Sequence, residues 1–305
     1  MGSTLEARGK IVVGTDFSSR AGVAVDWAAE RAAMRKQPLL IVMAVPEVPI
    51  PRRSRMFDAL ATGDWPNRLT EMAEDKLAAL KKQVADAHPE VEVETQVVVG
   101  VASYVLAQAS RTADLVVVGA RGEHAPMKVR ALGGTADAVV AHAHGPVAVI
   151  TDHGIPTPGG PVVVGVDDSP EADAALKLAA DEAQARGVGL RVIHAWDVAP
   201  WMMGPMGVTA LQSLPPIETL RNGVEVFVEP VRETHPGLDV DVRVIEGRPS
   251  TALVEASIGA SLVVLGSRGL GGFTGLLLGS TSKEVLRDAE SPVIVIRAAE
   301  DHRGH

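Results

Sequence analysis

The chain is expected to be an α/β protein built of two tandem, doubly wound domains, each around a five-stranded parallel sheet. Three observations lead there. Short apolar runs alternate with stretches of helical periodicity, the pattern of buried parallel strands joined by helical crossovers. The pattern occurs twice: Val163-Val164-Gly165-Val166-Asp167 matches Val12-Val13-Gly14-Thr15-Asp16 at an offset of 151. Gly266-Ser267-Arg268-Gly269 matches Gly119-Ala120-Arg121-Gly122 at 147, and Ser291-Pro292-Val293-Ile294-Val295-Ile296 matches Gly145-Pro146-Val147-Ala148-Val149-Ile150 at 146. Finally, each copy carries a Gly-x-x-Gly loop directly after its fourth apolar run. So long a period is not that of a solenoid, and 305 residues suit two domains better than one core. Thr151–Gly160 is turn-rich and reads as the linker, which sets the domains at 1–155 and 156–305.

Taken in order, Ile11–Asp16 is a buried strand ending in a carboxylate. Ser18 or Ser19 then caps a helix to about Lys36, with Ala21, Val25, Ala28, Ala29 and Ala32 on one face. Pro38 interrupts, and Leu39–Val45 is the second strand. A proline-rich loop from Pro46 to Pro66 precedes a helix over about Arg68–Ala87, and Val91–Val97 alternates as a strand with one wetter face. A helix over Ala102–Arg111 leads to the strand Leu115–Val118. Gly119-Ala120-Arg121-Gly122 follows, then Gly133-Gly134-Thr135 opens a helix that Gly145-Pro146 ends, and Val147–Ile150 is the fifth strand. The second half repeats this order. Its helix over Ile217–Thr234 contains Gly223 and Pro230, which should weaken or kink it.

Composition narrows the function classes. The net charge is −9, with 17 basic and 18 acidic residues up to position 155, then 12 and 20 after it, so the halves carry −1 and −8. An acidic chain with no basic tract and 3% aromatics argues against nucleic acid or an anionic membrane as partner. The absence of cysteine excludes thiolate metal sites and suits a reducing compartment. No apolar run reaches membrane-spanning length, and Met1–Arg8 has no signal-peptide core, so a cytoplasmic location is expected.

The chemistry concentrates at Gly266-Ser267-Arg268-Gly269 and Gly279-Ser280. A strand that ends in Gly-x-x-Gly and returns as a helix start brings main-chain N–H groups and a positive helix dipole to one place, which suits phosphate. Glycine would allow close backbone approach and positive φ, and Ser280, Thr281 and Ser282 offer hydroxyls where an N-cap is wanted. In a parallel sheet ligands sit beyond the carboxyl ends of the strands, where strand order reverses. If Asp167 and Gly266 meet there, the carboxylate would repel phosphate and belongs at the nucleoside end, accepting hydrogen bonds from base or ribose.

These residues resemble the universal stress proteins in their tandem-domain form. The likeness rests on Val163-Val164-Gly165-Val166-Asp167-Asp168-Ser169-Pro170, His194-Ala195-Trp196, Gly266-x2-Gly269-x9-Gly279-Ser280 and Ser291-Pro292-Val293-Ile294-Val295, and covers nearly the whole chain. It implies an adenine-nucleotide alpha-hydrolase-like domain with strand order 3-2-1-4-5. It also implies ATP as the ligand, with Mg2+ an open addition, and pairing of domains through their fifth strands, within the chain or in a homodimer. By analogy Asp167 and Asp16 contact adenosine, with Val166 and Thr15 beside them. The backbone near Ala195 or Ala44 lines the base pocket. Gly266, Gly269, Gly279, Ser280 and Thr281 hold phosphates in the second half, with Gly119, Gly122, Gly133, Gly134 and Thr135 as their counterparts. The first half departs from the pattern: ten residues, Pro126 among them, separate Gly122 from Gly133, and Gly134 replaces the serine. A weaker first site is expected.

Other residues carry plainer readings. His194 reads as a packed or edge histidine rather than a ligand, and His142 and His144 as helix-end residues, since a metal there would need a third ligand. Asp168 could join Asp167 on a cation but reads better as facing solvent or helping cap the next helix. Trp201–Gly207, rich in methionine, reads as a lid over the nucleotide, a partner surface or plain disorder. The function expected is a nucleotide-dependent stress-response module with a protein partner left unspecified. A slow ATPase, a cyclic-AMP-binding protein and a nucleotide-free interaction module are the alternatives. With neither a lysine on the phosphates nor a base evidently placed for water, holding ATP suits the motifs better than splitting it.

Overall fold

Strands whose residues are valine, leucine and isoleucine almost throughout sit at the centre of each half: Ile11, Val12, Val13 and Leu115–Val117 in one, Val162–Val164 and Leu262–Val264 in the other, all fully buried. Such continuous apolar runs need helices on both faces, and the intervening sequence supplies them. The computed structural model describes residues 5–45, 65–122, 132–151, 154, 156–197, 216–270 and 277–298.

The first half runs β1 (Ile11–Gly14), α1 (Ser19–Arg35), β2 (Leu39–Val45), α2 (Trp65–Ala87), β3 (Val93–Val99), α3 (Ala102–Ala109), β4 (Leu115–Gly119), α4 (Gly134–His142) and β5 (Val147–Ile150). The second runs β6 (Val162–Gly165), α5 (Pro170–Arg186), β7 (Leu190–Trp196), α6 (Ile217–Thr234), β8 (Val240–Glu246), α7 (Pro249–Ser257), β9 (Leu262–Gly266), α8 (Ser280–Asp288) and β10 (Val293–Ile296). The strands lie in the order β3-β2-β1-β4-β5 and β8-β7-β6-β9-β10, which is 3-2-1-4-5 in each half. Register is parallel throughout the central pairs: Ile11 faces Leu39 and Leu115, and Val162 faces Leu190 and Leu262. Strand order therefore reverses between β1 and β4, and between β6 and β9. Outside residues 128–132, the chain divides into two compact units that change over between Val147 and Ala148.

The turn from first strand to first helix is built alike in both halves. Phe17 (φ 60°) and Asp168 (φ 65°) are left-handed, which swings the chain from strand end to helix start within one residue. Ser18 then caps α1 by accepting from the Ala21 N–H, and Ser169 caps α5 by accepting from Ala172, both at 3.1 Å. Of the two capping candidates Ser18 and Ser19, the cap is the first. Asp168 is exposed and caps nothing; its contribution is the left-handed turn.

Other differences from the sequence reading have local causes. β3 begins at Val93 rather than Val91, because the ladder to β2 opens with the Leu39 N–H donating to the Glu92 carbonyl. Val91 is buried just ahead of the ladder. α6 continues through Pro230. The carbonyl that proline leaves without a donor belongs to Val226, which is 75% exposed, so water can satisfy it. Most of the first proline-rich loop (residues 46–64), Pro126, part of the expected linker and Trp201–Gly207 lie outside the described residues.

Candidate functional site

The second half holds a cavity of about 490 Å³ beyond the carboxyl ends of β6 and β9, where its strand order reverses. Its floor is apolar. α7 packs on β6 and β7 and brings Pro249 and Leu253 into it. Gly165 makes room for that leucine, since a Cβ there would stand 2.9 Å from Leu253 Cδ1. Ile193, Ala195 and Val166 form one wall. The other wall is the loop Gly266–Gly269 and the first turn of α8, with Gly279, Ser280, Thr281 and Ser282 all lining the space. A volume of this size is within the range of small-molecule sites.

Every second-half residue expected at the site reaches this cavity: Val166, Asp167, Ala195, Gly266, Gly269, Gly279, Ser280 and Thr281. Their roles differ in part from expectation. The cap of α8 is Gly279, and no side chain caps the helix, so the hydroxyls do not serve there. Ser282 instead donates from Oγ to the Gly266 carbonyl at 2.8 Å, tying the helix to the end of β9. The N–H groups of the first turn are those that an α-helix cannot satisfy internally, and three of the residues bearing them face the cavity.

The glycines are not there for positive φ, which none of Gly266, Gly269 and Gly279 shows. They answer to packing. A Cβ on Gly266 would stand 2.7 Å from Glu171 Cβ and 2.9 Å from the Arg268 carbonyl oxygen, and a Cβ on Gly269 would overlap the Asp167 carboxylate. Gly279 is the exception. A Cβ there would meet the Ser267 carbonyl oxygen at 3.4 Å and Arg268 Cα at 3.6 Å, which are ordinary contacts.

Asp167 keeps little free for a nucleoside. Its Oδ1 accepts from the Ser169 N–H at 3.3 Å and the Ser169 hydroxyl at 2.6 Å, while Oδ2 accepts from the Leu270 N–H at 2.9 Å. A carboxylate has about four acceptor positions, so one remains. Among the described residues it is the only acidic side chain lining the cavity, and the only cationic one is Arg268, within the Gly-x-x-Gly turn. Arg268 Nε is buried with no hydrogen-bond partner among the described residues. Sequence reasoning passed over this arginine, though its place between the two glycines could have signalled it. Pro249 and Leu253 gave no signal, because their role comes from where α7 docks.

The first half has the same arrangement at smaller scale, a cavity of about 150 Å³. Thr15, Asp16, Ala44, Gly119, Gly122 and Thr135 line it; Gly133 and Gly134 do not. A Cβ on Gly133 would lie 3.3 Å from both the Ala120 carbonyl oxygen and Arg121 Cα, so this residue packs on the loop rather than facing the space. Asp16 folds back as Asp167 does, its Oδ1 accepting from the Ser18 N–H at 3.0 Å, and a Cβ on Gly122 would approach its Oδ2 to 2.7 Å. Arg20 donates to the Gly122 carbonyl at 3.3 Å, where the second half has Glu171.

His194 Nδ1 donates to the Val166 carbonyl at 3.0 Å, and His142 Nδ1 to the Ala138 carbonyl at 2.8 Å. Among the described residues no group of three or more His, Asp or Glu side chains is placed to hold a metal ion.

The model of the universal stress protein family matches residues 7–151 and again 160–297. The chain belongs to the universal stress protein family. It is 35% identical to a universal stress protein of Mycobacterium tuberculosis over 316 residues, spanning 95% of this chain and 96% of the relative. It is also 35% identical to one from Mycolicibacterium smegmatis over 295 residues, spanning 94% and 96%. Among solved structures it is similar in fold to a universal stress protein of Archaeoglobus fulgidus, at a TM-score of 0.69 and 21% identity, covering 96% of this chain and all of that one. Both halves thus belong to one family, and the differences between their cavities are differences between two copies of a universal stress domain. No described helix is long and apolar enough to cross a membrane.

Proposed function

We propose that the chain binds an adenine nucleotide, ATP in the first place, in the cavity of its second half, and acts as a nucleotide-dependent regulatory module. The observation that carries this is the uncapped first turn of α8. Ser280, Thr281 and Ser282 present main-chain donors to a 490 Å³ cavity whose far end is apolar and neutral. Phosphate suits the donors and the positive helix end, and a base suits the slot between Ala195, Ile193 and Leu253.

Gly279 supports the same reading. The protein's own packing would accept a Cβ at that position, so its glycine is not required by the neighbouring chain, and we read the bare backbone as leaving room for a ligand. The site favours holding over hydrolysis: its single carboxylate is already tied to Ser169 and Leu270, and no other described lining side chain could serve as a base toward water. Mg2+ would have to come with the phosphates. The first-half cavity, smaller and without the serine, is the weaker site. Occupancy acts on a partner in the cytoplasm only so far as the nucleotide favours one loop conformation over another.

The test is to denature freshly purified protein and identify what is released. About one ATP per chain is expected from the second cavity, rising toward two as the first fills. Protein that carries none, and that binds none on titration with ATP or cyclic AMP, would leave the interaction-module reading standing instead.

A further inference from the structure

We propose that Arg268 reads the charge of the ligand in the second cavity and makes it selective for the phosphorylated nucleotide over the bare nucleoside. This rests on the nucleotide reading above and assigns it a specificity-determining side chain. Arg268 lines the cavity beside the first turn of α8. Its Nε is buried and unpartnered among the described residues, and a buried N–H without an acceptor costs its full desolvation. Arg186 and Arg297 also bury their Nε, but neither lines this cavity, and their Nη2 atoms are engaged with Glu182 at 3.1 Å and the Leu277 carbonyl at 3.0 Å.

The root of the Arg268 side chain is also fixed. Just before it, Ser267 donates its N–H to the Ile296 carbonyl at 2.7 Å and accepts the Gly279 N–H at 2.8 Å. The side chain therefore starts from a fixed turn of the main chain. The Ser267 hydroxyl beside it is buried and unpartnered among the described residues too, at 2% exposure, where the first half has Ala120. Among the described residues the only acidic side chain lining the cavity is Asp167, whose two oxygens already accept from Ser169 and Leu270. An anion in the cavity that offers two oxygens to the planar guanidinium fork would suit this arginine, and phosphate has that geometry.

The experiment is calorimetric titration of the nucleotide-stripped full chain with ATP and, separately, adenosine, using wild type, Arg268→Gln and Arg268→Lys. Thermal melting would confirm that each variant folds. Arg268→Gln is expected to weaken ATP by about ten- to thirtyfold while adenosine stays within about twofold, and to flatten the salt dependence of ATP binding. Arg268→Lys, which keeps the charge but not the fork, should fall between. Equal weakening of ATP and adenosine, or no change in either, would overturn the proposal and leave the nucleotide reading intact. Wild type that binds neither ligand would overturn both. Should Arg268→Gln fail to fold, the lysine variant and the salt dependence of wild type decide the matter, a flat salt response counting against the proposal.

Discussion

The Asp167 carboxylate accepts the Leu270 N–H at 2.9 Å, and Gly269 lies against the same oxygen with no room for a Cβ. The end of the first strand in the second half thereby holds the loop that follows the fourth. Asp16 and Gly122 meet in the same way in the first half, with 2.7 Å between a notional Cβ and Oδ2. The aspartate and the second glycine of the loop are one device, in which a strand-end carboxylate fixes the position of the loop beside the cavity.

Gly269→Ala should therefore displace the loop and weaken ATP by about tenfold or more. Adding Asp167→Ala should recover part of that loss, because the overlap is gone. A double-mutant cycle on ATP affinity measures the coupling. Strict additivity of the two changes would mean that the contact does not shape the site.

Both Gly-x-x-Gly loops, their flanking strands and the repeat were legible in the sequence because strand burial, glycine pairs and helix starts leave a local pattern. What the pattern could not say was why the glycines are there. Gly269 answers to Asp167, 102 positions away, and Gly165 to Leu253, 88 positions away, and neither contact has a local signature. Ser282 was legible as a hydroxyl near a helix start, yet its use depends on the Gly266 carbonyl lying within reach across the fold. Arg268 was in plain view within the motif, but only the burial of its Nε beside an open cavity marks it out.

Ser282→Ala removes one buried hydrogen bond between α8 and the end of β9. A loss of about 1 kcal/mol is expected, seen as a lower urea midpoint at unchanged slope. An unchanged midpoint would show that the bond adds nothing to stability.

Leu253 is a core side chain that also forms the cavity floor. Leu253→Ala should destabilise the second unit by about 2–5 kcal/mol in urea unfolding. It should also relax discrimination between adenine and smaller bases in competition titrations. A loss below about 0.5 kcal/mol would place this leucine outside the packed floor.

Asp168 sits in the left-handed region, which glycine enters at no steric cost. Asp168→Gly should keep or raise stability by up to about 1 kcal/mol and leave the affinity for Mg-ATP unchanged. A marked fall in Mg-ATP affinity would instead make this carboxylate a cation ligand.

If the space before the first turn of α8 is kept for nucleotide phosphate, filling it must cost affinity, and Gly279→Val fills it. Titration of the nucleotide-stripped variant with ATP, beside wild type and a thermal melt of each, separates folding from binding. A melt lowered by no more than several degrees is predicted, since a Cβ at Gly279 meets only ordinary contacts while valine caps a helix less well than glycine, together with a loss of ATP affinity of at least about tenfold. ATP binding by Gly279→Val as tight as by wild type would contradict that use of the space.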